Sequence, residues 1–223
     1  MKRRRRSWPY LMLACIMGAS WSVAESDSVE PTTPAAEVLA LKREAESVAA
    51  AALAAFPRDP SAHMLRGSVS FHHGNATGAT QSWHRVLELD PARADAHNAI
   101  SSVAWDTGRF EDAVQSCRAA LERQPRMQES AIRLGQALME IGRADDAVVA
   151  METLVQLAPN SSDAHFILAQ AYLQKRDFAR ARTHYLRAIE LRPGLYHAYY
   201  GLATACARLG ERDKAREYQK IFR

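Results

Sequence analysis

The sequence predicts an all-α protein, a solenoid of stacked antiparallel helix pairs, and three observations carry that expectation. Pro57, Pro91, Pro125, Pro159 and Pro193 fall 34 residues apart. Ala79, Ala113, Ala147, Ala181 and Ala215 keep the same step. Gly74, Gly108, Gly142 and Gly210 mark a turn in each copy, with Arg176 holding that place in the remaining one. A fixed period of this length signals an array of small supersecondary units. Each helix pair is too thin to bury its own apolar face and must stack on a neighbour.

Taken in order, the chain opens on MKRRRR and an uncharged, mostly apolar run to Ala24. A positive flank, a short apolar stretch and small residues at Ser22 and Ala24 read as an export signal, residues 1–24, cleaved after Ala24. The same run, kept uncleaved, would be a short membrane anchor. Lipid attachment at Cys15 after Leu13-Ala14 is a third possibility. Residues 25–34, ESDSVEPTTP, are polar and proline-containing, and read as a linker. Residues 35–57 then form an alanine-rich helix, read as an N-terminal cap or half-repeat with Ala45 and Ala52 at small positions.

The repeats follow. The clearest is 162–193, SDAHFILAQAYLQKRDFARARTHYLRAIELRP. Small residues recur where two helices must touch (Ala164, Ala169, Ala171, Ala181 and Ala188), and Phe166, Leu168, Tyr172, Phe178 and Tyr185 fill between them. Pro193 ends the second helix, because proline lacks an N–H and biases the residue before it away from helical geometry. This pattern resembles the tetratricopeptide repeat over residues 60–223, in five copies: 60–93, 94–127, 128–161, 162–195 and 196–223. The small eighth position of that family holds Gly67, Ser101, Gly135, Ala169 and Ala203. The preceding apolar position holds Ile100, Leu134, Leu168 and Leu202 but Arg66 in the first copy, which points to a looser or solvent-facing first repeat. The resemblance implies a right-handed superhelix whose first helices line a concave groove.

Carried over residue by residue, the resemblance places Met64 and Phe71 in that groove, followed by Asp95, Asn98, Trp105 and Asp106. Ile132, Gln136, Met139 and Glu140 come from the third copy, Phe166 and Gln170 from the fourth, and Tyr200 from the fifth. Aromatic, aliphatic and acidic side chains together suit an extended peptide with apolar anchors and some basic character. The alternative is that Met64, Phe71 and their like pack between neighbouring helices. The lysine and asparagine clamp that some family members use for a C-terminal carboxylate is missing, since Met64 and Ser68 stand there.

The net charge of +4 belongs to the leader, whose five cations at 2–6 outnumber the whole excess. The basic balance therefore gives no case for nucleic acid. Cys117 and Cys206 lie on different repeats, too far apart for a disulfide, and read as core thiols. His63, His97 and His165 recur one whole repeat apart and cannot converge on one ion, so they read as structural. No Gly-rich phosphate loop, G-x-S-x-G elbow or HExxH is present. Asn75 and Asn160 fit a glycosylation pattern that matters only in a host that glycosylates exported chains.

The expected function is an exported scaffold, periplasmic or secreted, that holds a protein or extended peptide and supports assembly of an envelope complex. No active site, cofactor or metal is expected, and contact with a membrane is expected only through an uncleaved N-terminus. The alternative is a membrane-tethered accessory subunit of an enzyme or secretion complex, with its repeats outside the cytoplasm.

Overall fold

A computed structural model describes residues 34–222; the export signal with its cleavage position Ala24, and linker residues 25–33, lie outside the described residues. The chain divides into two compact units, Met1–Ala40 and Leu41–Arg223. Of the first, the described part is the opening of helix α1 (Pro34–Ala55), where residues 35–40 are exposed. The second holds the rest of α1 and five helix hairpins. These are α2 (Pro60–His72) with α3 (Ala76–Leu89), and α4 (Ala94–Asp106) with α5 (Phe110–Arg123). Then come α6 (Gln128–Glu140) with α7 (Ala144–Leu157), α8 (Ser162–Gln174) with α9 (Phe178–Leu191), and α10 (Tyr196–Arg208) with α11 (Arg212–Phe222). Among the described residues there is no strand, and the all-α solenoid expected from the 34-residue step is the fold observed.

The turn inside every hairpin is built the same way. Gly74, Gly108, Gly142 and Gly210 have φ of 78°, 71°, 75° and 83°, and Arg176 takes the same left-handed conformation at 61°. Glycine enters that region without steric cost, whereas arginine carries a Cβ penalty there. The next residue's N–H then donates to a carbonyl five positions back: Asn75 to Ser70, Arg109 to Ala104, Arg143 to Leu138, Asp177 to Tyr172 and Glu211 to Cys206, at 2.8–2.9 Å. That bond closes a Schellman-type cap and satisfies carbonyls the first helix leaves over. Asn75 and Asp177 then cap the second helix by accepting from Gly78 and Arg180 backbone N–H groups at 2.9 and 3.1 Å. Between hairpins the chain leaves the helix at Asp90, Gln124, Ala158 and Arg192, each extended and each followed by a 34-step proline.

Helices of 13 or 14 residues are marginal alone, so stacking supplies their stability. Ala79, Ala113, Ala147 and Ala181 are fully buried where the two helices of a hairpin cross. The second helices direct Trp83, Cys117, Met151 and Tyr185 inward, all at or near zero exposure. One core cluster runs from Ala104 and Ala113 to Cys206, and a smaller one joins Trp83 and Val86 to Ile100 and Val103. Helix α4 thus divides its faces between two cores, and the first hairpin belongs to the smaller.

Helix α1 differs from the expectation in two respects. It begins at Pro34, the last residue assigned to the linker, because proline suits the first turn of a helix. It also covers less than a cap would: Ala49 is buried, Ala45, Ala52 and Leu53 are half-buried, and Leu41 and Val48 are exposed. Alanine presents too little area to make a broad seam. A bond between His73 Nδ1 and Glu46 Oε1 at 2.6 Å adds a polar tie along the helix.

Gly67 shows how close the packing is. A Cβ on Gly67 would stand 2.3 Å from Trp83 Nε1, inside a buried indole with no room to withdraw. Gly67→Ala is expected to destabilise the fold by about 1–3 kcal/mol through overpacking, read as a lowered melting temperature by circular dichroism. An unchanged melting temperature would contradict this crossing geometry.

Candidate functional site

The first helices α4, α6, α8 and α10 approach one another closely in succession, while the second helices do not approach one another to the same extent. In a stack of hairpins that asymmetry places the first-helix layer on the inner side of the curve. Helix α2 is not among these close neighbours, so Met64 and Phe71 sit beside the continuous face, packed on the smaller core.

None of the candidate groove residues is buried. Trp105, Ile132, Met139 and Phe166 are half-buried, with their inner atoms on the larger core. Trp105 meets Phe110 edge-on at 5.2 Å between ring centres, and Phe166 meets Tyr185 at 6.0 Å. Tyr200 is 57% exposed, with Phe222 as its aromatic neighbour at 5.3 Å. Packing and exposure coexist in each of these side chains: each has a packing neighbour and none is buried.

The polar candidates separate into two groups. Asp95 is engaged by Arg93 through Nε at 2.9 Å and Nη2 at 2.6 Å, and that pairing holds its carboxyl below the usual range. Asn98, expected to face a ligand, is instead engaged by the next hairpin. Its Oδ1 accepts from Ser130 Oγ and Arg133 Nη1, both at 2.8 Å, and its Nδ2 donates to Glu129 Oε2 at 3.2 Å. Arg133 also donates to Ser101 Oγ at 3.2 Å. Ser101 and Ser130 are fully buried, so this network is an internal brace between α4 and α6. The sequence reading missed it, although Ser101 at the close-approach position was the available signal. Asp106 and Glu140 are exposed, and neither they nor Gln136 and Gln170 have a side-chain hydrogen bond or ion pair among the described residues.

Two of the three recurring histidines share a structural role. His63 Nε2 meets Pro57 O at 2.9 Å, and His165 Nε2 meets Pro159 O at 3.1 Å, each reaching the carbonyl of the proline that closes the preceding unit. In the second copy Arg123 Nε takes the corresponding carbonyl, Pro91 O, at 2.8 Å. His165 is also part of a cluster the sequence did not reveal. Its Nδ1 lies 3.1 Å from His184 Nδ1, and the Tyr172 ring stacks on His184 at 5.7 Å. The Tyr172 hydroxyl donates to Glu152, and Arg180 lies over the same ring at 5.1 Å. Because His165 Nε2 must donate to a carbonyl, its Nδ1 is an acceptor and His184 Nδ1 carries the hydrogen. Among the described residues no three His, Cys, Asp or Glu side chains converge in a metal-ligating arrangement. Cys117 and Cys206 are buried and unpaired, and burial raises both thiols above their ordinary range.

The sequence matches the family model described as Tetratricopeptide repeat over residues 41–83, 77–127, 132–196 and 175–221. No curated protein matches it. Among solved structures, MamA is 25% identical over 70% of this chain and 91% of that one, with a TM-score of 0.67. The pilF protein of Pseudomonas aeruginosa is 25% identical over 73% of this chain and 74% of that one, with a TM-score of 0.63. YrrB, described as a TPR protein with an unusual peptide-binding site, is 19% identical over 78% of this chain and 90% of that one, with a TM-score of 0.69.

The histidine pair has a pH signature. Burial first, and then the neighbouring His165, lowers the pKa of His184 below its ordinary value. The folded state thus favours the neutral ring. The stability this contributes is complete above the unfolded pKa of about 6.5 and is lost as pH falls from there through the folded value. Melting temperature is expected to drop on acidification below that point, and His184→Gln is expected to flatten the drop. Equal acid sensitivity in the variant would contradict the assignment.

Proposed function

The chain belongs to the tetratricopeptide repeat family, and from that premise we propose that it is a non-catalytic scaffold that captures an extended protein segment along its inner face. The observation that carries this reading is the run of half-exposed apolar side chains from Trp105 through Ile132 and Met139 to Phe166, on helices α4, α6 and α8. Beside them stand polar side chains with no partner of their own. An extended segment can seat side chains on successive helices, while unpaired amides and carboxylates meet its polar groups. Repeat proteins of this fold generally serve as non-catalytic scaffolds. Likeness to YrrB adds support at the level of a shared fold.

The same reading has this capture take place outside the cytoplasm. MKRRRR followed by an apolar run and small residues to Ala24 is the feature that supports export to the periplasm or medium, in service of an envelope complex.

Two measurements test these statements. Trp105→Ala is expected to weaken partner capture by about 2 kcal/mol or more, as for an aromatic at the centre of an interface, with the helical spectrum retained. Unfolding on this substitution would show that Trp105 serves packing alone. N-terminal sequencing of protein made in its own host is expected to begin at Glu25, and a start at Met1 in membrane fractions would favour the tethered subunit.

A further inference from the structure

This inference rests on the groove reading above and concerns the chemistry and register of its occupant. Of the acids on the first helices α4, α6 and α8, three are already engaged inside the protein: Asp95 by Arg93, Glu129 by Asn98 and Asp163 by Arg192. Asp106 and Glu140 remain exposed and unpaired, one full 34-residue step apart, at the same place on consecutive first helices α4 and α6. Trp105 and Met139, each the residue immediately before one of these acids, are half-buried and packed on the larger core. The groove therefore presents two equal modules in succession, an apolar contact beside a free carboxylate. Farther along, the equivalent places hold the neutral Gln174 and then the cationic Arg208, both exposed, so the acidic character is confined to the α4–α6 end.

We propose that this part of the groove reads an extended peptide bearing two basic side chains three residues apart, with apolar side chains seated on Trp105 and Met139. The spacing follows from geometry. Packed helices lie about 8–10 Å apart, and a polyproline II segment advances about 3.1 Å per residue with three residues per turn, so side chains three residues apart share one side of the peptide and span about one helix-to-helix step. Gln136, exposed and unpaired on α6 between the two modules, offers an amide to the peptide backbone. A pair of adjacent basic residues could not reach both carboxylates, because in a polyproline II segment neighbouring side chains point a third of a turn apart and only residues three apart share a side.

The test compares two fluorescein-labelled dodecapeptides of the same composition on the full-length chain, by fluorescence anisotropy. One carries Lys-x-x-Lys and the other Lys-Lys, each with leucines beside the lysines and otherwise serine and alanine. The spaced peptide is expected to bind roughly fivefold more tightly at low salt, in keeping with two exposed charge pairs. The advantage should shrink in high salt and vanish in Asp106→Asn combined with Glu140→Gln, neither of which removes an internal contact. Equal binding of both peptides, with both weakened by Trp105→Ala, would overturn the register and leave the groove reading standing. Failure of both peptides to bind, or binding indifferent to Trp105→Ala, would overturn both. Circular dichroism melting of each variant separates these outcomes from loss of fold.

Discussion

A helix hairpin has one apolar face too many, and the rest of this molecule depends on covering it. The two helices of each pair can be drawn together only if small residues stand at their crossing. Ala79, Ala113, Ala147 and Ala181 meet that condition with no exposed surface. The outer side of the pair is then closed by the next unit, which receives Met151 or Tyr185 as a fully covered side chain. Gly135 and Gly201 mark how little space is left: a Cβ on either would fall 2.7 Å from Met151 and 2.2 Å from Tyr185 respectively. Close approach also explains the left-handed turn residues, because only a sharply reversed backbone returns the second helix alongside the first. Arg176 adopts that geometry despite its side chain, which shows that the stack dictates the turn.

Stacking is not uniform along the chain, and its variation shapes the inner face. From α4 to α10 the first helices are close neighbours, braced at one step by the Asn98, Ser130 and Arg133 network. A buried network of this kind ties register to polar geometry, since any slip would take Ser130 and Arg133 away from Asn98 Oδ1. The first hairpin joins a separate, smaller core, and α1 adds little beyond Ala49. Docking is thus best supported on the middle hairpins, where apolar side chains are held firmly along one edge and left open along the other. Preorganised contacts of that kind lower the ordering cost of binding.

Much of this was legible in the sequence because the 34-residue step carries the turn, the crossing and the stacking positions together. Counting from Pro57 to Pro193 was enough to place the five hairpins' small crossing residues. The site was legible only as a row of positions. Asp95 and Asn98 stand in that row, yet Arg93 and Arg133 engage them, and such engagements depend on side-chain directions rather than on period. The histidines teach the same lesson. His63 and His165 stand whole repeats apart, but the carbonyl each one reaches, and the encounter of His165 with His184, arise from the way one unit follows another. The small areas of alanine also limit what a sequence pattern can say about α1, whose alanines mark a helix more surely than they mark a cap.

The central claim is that capture occurs on the inner face formed by α4, α6 and α8. Site-specific photocrosslinking tests it most directly, with a benzophenone side chain placed either at Gln136 on the inner layer or at Val149, which is 65% exposed on the second-helix layer. In the protein's own host, adducts to a partner are expected from position 136 and not from position 149. Adducts formed from position 149 instead, or equally from both, would contradict capture on the inner face.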